Sequence, residues 1–340
     1  MPDETTAVVV GGGRAASGVY DDFHAAYVAE LGRVFDEPHY FNAPRGHRSR
    51  ERIGAHFVIA DARQRVPFVA ARRLNIVFNF AEALWYLSGR DDVDFVAYYA
   101  PSIRRYSMDG RTLRGTAYGR ALFALDGRID QWKSVVDVLA ADPDSKRAVV
   151  QMFRAEELLV PDNIDVSCTL GLQFLLRDGT LHAVGYMRAN DAYRGVVSDV
   201  FSFTFLQEVL ATQIGADVGS YVHNVGSIHV YEPDDERVRA VLDDATGPAP
   251  YRFPVMPVCD NRPYVRTVLE HEEALRADDA RLDAGAVAEL DLPHYWRQVV
   301  LLLELYRELR HDGRADERTL DALDPVYRYF VAHRWPRGTL

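Results

Sequence analysis

Residues 76–88, Ile-Val-Phe-Asn-Phe-Ala-Glu-Ala-Leu-Trp-Tyr-Leu-Ser, are apolar nearly all the way round. A run of this length reads as a helix that Gly89 stops, and a helix apolar on every side has to be covered on every side. It demands a domain large enough to enclose it. The chain meets that demand, since 340 residues with 48% hydrophobic and 11% aromatic content can bury a substantial core. Glu82 is the one acidic residue in the run. A carboxyl is costly to bury there unless it has partners or a function.

Residues 19–37 place Val19, Phe23, Tyr27, Leu31, Val34 and Phe35 at helical spacing and read as one amphipathic helix. Upstream, Val8-Val9-Val10-Gly11-Gly12-Gly13 has the look of a strand entering a phosphate turn. A dinucleotide-binding unit would need a helix after that turn and then a second apolar strand ending in an acidic residue. Residues 1–26 are therefore expected to be a flexible glycine-rich leader. Segments 147–153 and 169–176 read as strands, and the turn Arg177-Asp178-Gly179 joins the second to a further strand in a hairpin. Helix returns at 199–214. After a proline-rich stretch near 247–263 come helices at about 266–280 and 294–310, then a last apolar segment, Tyr-Arg-Tyr-Phe-Val-Ala-His-Arg-Trp. With no internal repeat or low-complexity linker, residues 27–340 are expected to form a single domain whose part from about 250 to 340 is helical.

The net charge of −11, from 39 Lys and Arg against 50 Asp and Glu, argues against binding to a nucleic-acid polymer or an acidic membrane. Any phosphate has to be held by a local cluster. Two cysteines, Cys168 and Cys259, are too few for a disulfide framework and fit a reducing cytoplasm. No run approaches the ~18 apolar residues of a membrane span, and Met-Pro-Asp-Glu lacks the positive start of a signal peptide. A cytoplasmic protein is expected.

Cys168 lies in Asp165-Val166-Ser167-Cys168-Thr169, at the mouth of a strand, and Arg188 follows in Tyr186-Met187-Arg188-Ala189-Asn190-Asp191. Alone, such a cysteine reads as a small buried hydrophobe. The order of a whole set changes that. Running from Arg45-Gly46 through Glu82-Ala83-Leu84-Trp85, Gly115-Thr116-Ala117-Tyr118-Gly119, Ser145-Lys146-Arg147, Cys168, Arg188, Asp191, Gly195, Asp199 and His229-Val230-Tyr231, the chain resembles thymidylate synthase over about residues 27–231. The resemblance implies an α+β fold: a large mixed sheet flanked by helices, with two sheets packing back to back in a homodimer. It also implies a pyrimidine nucleotide substrate and 5,10-methylenetetrahydrofolate as one-carbon co-substrate, with no metal.

Pyrimidine C5 is a poor nucleophile until something adds at C6, and a thiolate suits that addition and the later departure. Cys168 takes this part by resemblance, with Arg188 supplying positive charge to the thiol. Guanidinium forks suit a phosphate dianion. The resemblance nominates Arg45, Arg147 and Arg188, with Lys146 beside them, and implies that Lys146 and Arg147 reach into the neighbouring subunit's site. It gives Glu82 and Tyr118 to a proton network, Asp191 and Gly195 to the folate, and His229 and Tyr231 to a sugar hydroxyl.

Three departures bear on the reaction. Asp199 stands where thymidylate synthases have Asn, and a carboxyl suits the N4 amino group and bare N3 of cytosine. Arg104, expected beside the folate, and Ser107 stand where the family has tryptophans, so water is expected to reach an exocyclic methylene on C5 and leave a hydroxymethyl group. Thr169 also replaces the usual histidine after the cysteine. Ala189 replaces Ser and Lys146 replaces Arg, a pair that resembles the CMP 5-hydroxymethylases of mildiomycin-type nucleoside antibiotic synthesis. The expected activity is hydroxymethylation of CMP, with dCMP hydroxymethylation and dUMP thymidylate synthesis as alternatives. Residues 250–340 do not follow the family's C-terminus.

Overall fold

The computed structural model describes residues 17–340, so the glycine run of the expected leader lies outside the described residues. Ser17–Tyr20 is a strand, β1, and the helix expected over 19–37 begins only at Phe23. Asp22 sets that boundary, because its carboxylate accepts the Ala25 N–H at 2.8 Å and caps the helix. Val19, counted as part of the helix by its spacing, stands on β1 and is 76% exposed.

The other strands are β2 (Tyr40–Asn42), β3 (Ser49–Ile59), β4 (Val149–Gln151), β5 (Thr169–Arg177), β6 (Thr180–Asp191) and β7 (Asp217–Tyr231). They form one mixed sheet in the order β1-β3-β7-β6-β5-β4, with β2 also on β3. The β1/β3 and β6/β7 pairs are parallel and the rest antiparallel. The β5–β6 hairpin forms where expected. Asp178 and Gly179 both take positive φ, 48° and 76°, as a two-residue turn between twisted strands requires.

Three of the strand pairings are interrupted at one level of the sheet, and β6 shifts against β7 elsewhere, between Leu181 and Ala183. The pairing of β3 with β7 skips Gly54 and Gly226, that of β7 with β6 skips Gly226 and Arg188, and β5 slips by a residue between Thr169 and Gly171. Gly54 has φ +72°, and a Cβ on Gly226 would sit 2.9 Å from the Arg188 carbonyl oxygen. The interruption coincides with a change in which side chains face inward. On β7 the buried side switches phase from Gly219, Tyr221, His223 and Val225 to Ile228 and Val230.

The helices are α1 (Phe23–Asp36), α2 (Ile76–Leu87), α3 (Val93–Tyr99), α4 (Tyr118–Ala124), α5 (Gln131–Ala141), α6 (Val196–Ile214) and α7 (Asp235–Asp244). After them come α8 (Arg262–Arg276), α9 (Ala284–Ala288), α10 (His294–Arg307), α11 (Glu317–Ala322) and α12 (Pro325–Arg334). Helices α1 and α6 pack on one face of the sheet, and α2 lies on α6. The enclosure demanded of α2 is met from all sides by α3, α4, α6, α8, α10 and α12. Asn75 caps its start by accepting the Phe78 N–H at 3.1 Å, and Gly89 follows its end at φ +71°. The opposite face of the sheet, carrying His56, Val58, His182, Val184, Val222 and Asn224, is only half-buried.

A buried ion pair ties the C-terminal segment to this core. Arg65 is fully buried and bonds Glu208 of α6, while the other Glu208 oxygen accepts the Met256 N–H at 2.8 Å. The rings of Phe201, Phe205 and Phe253 lie within 6.0 Å of the guanidinium. Replacing one partner strands a charge. Arg65→Met is expected to cost about 3–5 kcal/mol in urea unfolding, and adding Glu208→Leu to recover most of it. A single-variant loss under about 1 kcal/mol would show that the pair does not hold the C-terminal segment in place.

Candidate active site

The sheet irregularity is where the reactive residues gather. Cys168 precedes β5, and its carbonyl oxygen accepts the Arg188 N–H at 2.9 Å. The Arg188 guanidinium reaches back over the same loop, donating to Ser167 O and Val166 O at 2.8 Å each, and its Nη2 lies 3.7 Å from the Cys168 sulfur. Burial pushes the thiol pKa up, Arg188 and Arg45 pull it down, and Asp199 and Asp165 push it up again. Burial wins, so the expected support from Arg188 is present but leaves the resting group a thiol.

A second strap holds the same loop from the other side. Ser167 N donates to Glu157 Oε2 at 2.6 Å, and the Ser167 hydroxyl lies 2.8 Å from Gly115 O and 2.9 Å from Glu157 Oε1. Asp165 accepts the N–H groups of Arg114 and Gly115 at 2.7 and 3.0 Å together with the Thr116 hydroxyl. Gly115 has to be glycine, because a Cβ would collide with the Asp165 carbonyl. This fixes Tyr118, whose hydroxyl accepts the Thr169 N–H at 3.3 Å beside the cysteine.

Two carboxyls meet deeper in. Glu82 of α2 is buried and accepts from the Ser202 hydroxyl at 3.2 Å, and burial, then the charge of Asp199, pushes its pKa up to about 8. Asp199 stands on the first turn of α6 and accepts from Asn190 Nδ2 at 2.8 Å. Burial pushes it up to about 7. Gly195 opens the helix with Asn190 Oδ1 and Asp199 Oδ2 only 3.3 and 3.4 Å from where a Cβ would be, which leaves little room for a side chain.

Nearer the surface, Asp191 accepts the N–H groups of Tyr193 and Arg194 at 2.9 and 2.8 Å and pairs in register with His229. Burial raises its pKa against those bonds and His229. The His229 and Tyr231 rings lie 4.9 Å apart. Arg45, at φ +53° in the turn Pro44–Gly46, reaches the Tyr231 hydroxyl. Ala189 sits on β6 opposite Ser227.

Three nominated residues stand apart. Arg104 is exposed and pairs with Asp94 at 2.7 Å. Tyr106, two residues on, accepts from Arg105 at 2.8 Å. Lys146 and Arg147 are exposed, and the Lys146 carbonyl accepts from Gln173. Gln173 is five residues down β5 from Cys168, roughly 17 Å at the rise of a strand. The network members missed from the sequence are Tyr86, Glu157, Asp165 and Asn190, none of which carries a motif. Among the described residues no helix is long and apolar enough to cross a membrane.

The thymidylate synthase family model matches residues 25–264, and that span holds every residue of this cluster. The chain belongs to the thymidylate synthase family. It has that family's α+β architecture of a mixed sheet flanked by helices. It is similar to the deoxyuridylate hydroxymethyltransferase of Bacillus phage SP01, 32% identical over 203 residues, which cover 56% of this chain and 53% of that protein. It is also similar to the deoxyuridylate hydroxymethyltransferase of Pseudomonas phage M6, 33% identical over 190 residues, with 54% and 53% covered. The chain thus spans about half the length of these curated relatives.

The balance at Cys168 is open to measurement. Alkylation by iodoacetamide, followed by mass spectrometry of the Cys168 peptide, should rise along a limb above the ordinary thiol value. Arg188→Gln should move the limb further up and slow alkylation at pH 8 several-fold. An unmoved limb would show that Arg188 gives the thiolate no support.

Proposed function

We propose that the protein transfers a one-carbon unit from 5,10-methylenetetrahydrofolate to C5 of CMP, with dCMP the nearest alternative, and hydrates it to a hydroxymethyl group. Asp199 carries this reading. A carboxyl whose pKa is pushed to about 7 is largely protonated below neutrality, and Asn190 occupies one of its oxygens as a donor. Its hydroxyl then meets the bare N3 of cytosine, and its carbonyl oxygen takes the N4–H. Hydroxymethyl transfer is supported by the similarity to the two phage enzymes.

In this reading Cys168 adds to C6, which makes C5 nucleophilic toward the folate methylene. Arg188 and Arg45 face the nucleotide phosphate, and His229 and Tyr231 the sugar. Asp191 and Gly195 form the folate side, and Glu82 with Tyr118 moves protons. Residues 27–340 act as one catalytic domain. The half-buried sheet face receives a second copy, which places Lys146 and Arg147, far from their own thiol, near the other site.

Uracil is the second reading, favoured by the names of the phage relatives. A neutral carboxyl can also turn its hydroxyl to O4 and its carbonyl to N3–H. Competition among CMP, dCMP, UMP and dUMP with methylenetetrahydrofolate, read as the gain of one CH2O unit, separates the two. CMP is expected to lead. Asp199→Asn is expected to move the cytosine-to-uracil ratio of kcat/KM toward uracil by about ten- to hundredfold, the effect of roughly 1–3 kcal/mol. An unchanged ratio would remove Asp199 as the base-reading residue.

A further inference from the structure

Tyr86 lies one turn after Glu82 on α2, so the two side chains share a face of the helix. Both are buried, and the Tyr86 hydroxyl favours the charged form of Glu82. The Tyr86 ring packs against Trp85 at 5.6 Å and against Tyr118 at 5.1 Å. Gly119 locks that packing, since a Cβ there would collide with the Tyr86 carbonyl and push α4 off α2. A phenol in an otherwise apolar helix is thus held rigidly between the two members of the proton network.

The need for it follows from what surrounds Glu82. The titratable groups that face it are Asp199 from α6 and Tyr86 on its own helix, and Tyr118 of α4 stands behind Tyr86. Burial and Asp199 both oppose ionisation of Glu82. The groups that favour its charged form are two hydroxyls, Ser202 and Tyr86. Hydrogen bonds to a carboxylate keep it ionised where no cation does.

We propose that Tyr86 is a positioning residue for the hydration step: its phenol holds Glu82 as the carboxylate that takes a proton from the water adding to the exocyclic methylene. This rests on the hydroxymethyl reading above. The water oxygen bonds to the methylene carbon, the π pair between that carbon and C5 moves into the ring, and the water proton passes to Glu82. The ring electrons then return to form the C5–C6 double bond as the C6–sulfur bond breaks. Cys168 leaves as thiolate, and the proton held by Glu82 neutralises it. Addition of Cys168 to C6, transfer of the one-carbon unit to C5 and loss of the C5 proton all precede this step.

Tyr86→Phe in the full chain keeps the ring and removes the hydroxyl. Nucleotide affinity is expected to stay within about twofold, while hydroxymethyl product at neutral pH falls about tenfold or more. The rising limb of its pH–rate profile should move up by about one pH unit, because Glu82 has lost a donor to its charged form, and activity should recover at higher pH. Infrared titration of the Glu82 carboxyl, with Glu82→Gln as the reference, reads the same upward shift without turnover. A loss equal at every pH, with the Glu82 titration unmoved, would mark Tyr86 as packing only and overturn the proposal. So would a variant as active as the parent chain. If the parent chain itself made no hydroxymethyl product from any of the four nucleotides, the underlying reading would fall and this proposal with it.

Discussion

Glu82 and Asp199 face one another across the interface of α2 and α6, and burial is the larger cause of the raised pKa of each. What favours their charged forms is neutral: Ser202 and Tyr86 for one, Asn190 for the other. The pair therefore titrates around neutrality, near 7 and 8, rather than in the usual carboxylate range. Between those two values Glu82 is the acid that keeps its proton and Asp199 is the first to ionise. Roles of this kind are set by environment rather than by residue type.

That environment depends on parts of the chain far from the chemistry. The family match ends at residue 264, yet α2 stays dry because α10 and α12, beyond that limit, lie on it. The extended segment before α8 is tied to the core by Gln64 with Phe253 and by Glu208 with Met256. Loss of this cover would admit water to Glu82 and return its pKa toward the ordinary value. On the sheet side, the irregularity at Gly54, Gly226 and Arg188 sets the level at which the cysteine loop meets the arginine.

Much of this was legible in the sequence where periodicity was plain. The all-round apolar run gave α2, and the Arg-Asp-Gly turn gave the β5–β6 hairpin. Strand β7 escaped notice because its inward side carries Gly219, Tyr221 and His223 before changing phase at Gly226. β1 was hidden because Val19 fits a helical spacing, although Asp22 ends the strand and starts the helix. The ordered motif set led to Cys168, Glu82, Tyr118, Arg188, Asp191 and Asp199, which the fold brings to one end of the sheet. Tyr86 was invisible for a physical reason: an aromatic residue in an apolar helix reads as core until the neighbouring carboxyl is placed in space. Asn190 is similar, since nothing in its local sequence says that its amide will meet Asp199. Arg104, nominated by position alone, is exposed and pairs with Asp94.

The central claim is that Cys168 bonds to C6 of a cytosine nucleotide while C5 takes the folate methylene. Fluorine at C5 cannot leave as the proton does, so a 5-fluorinated substrate should stall with both partners attached. Incubation with 5-fluoro-CMP and methylenetetrahydrofolate, followed by intact-protein and peptide mass spectrometry, should show one nucleotide and one folate on the Cys168 peptide. The Cys168→Ala chain should show neither. Absence of any adduct on the parent chain under conditions where nucleotide is bound, or an adduct on a different residue, would contradict the account.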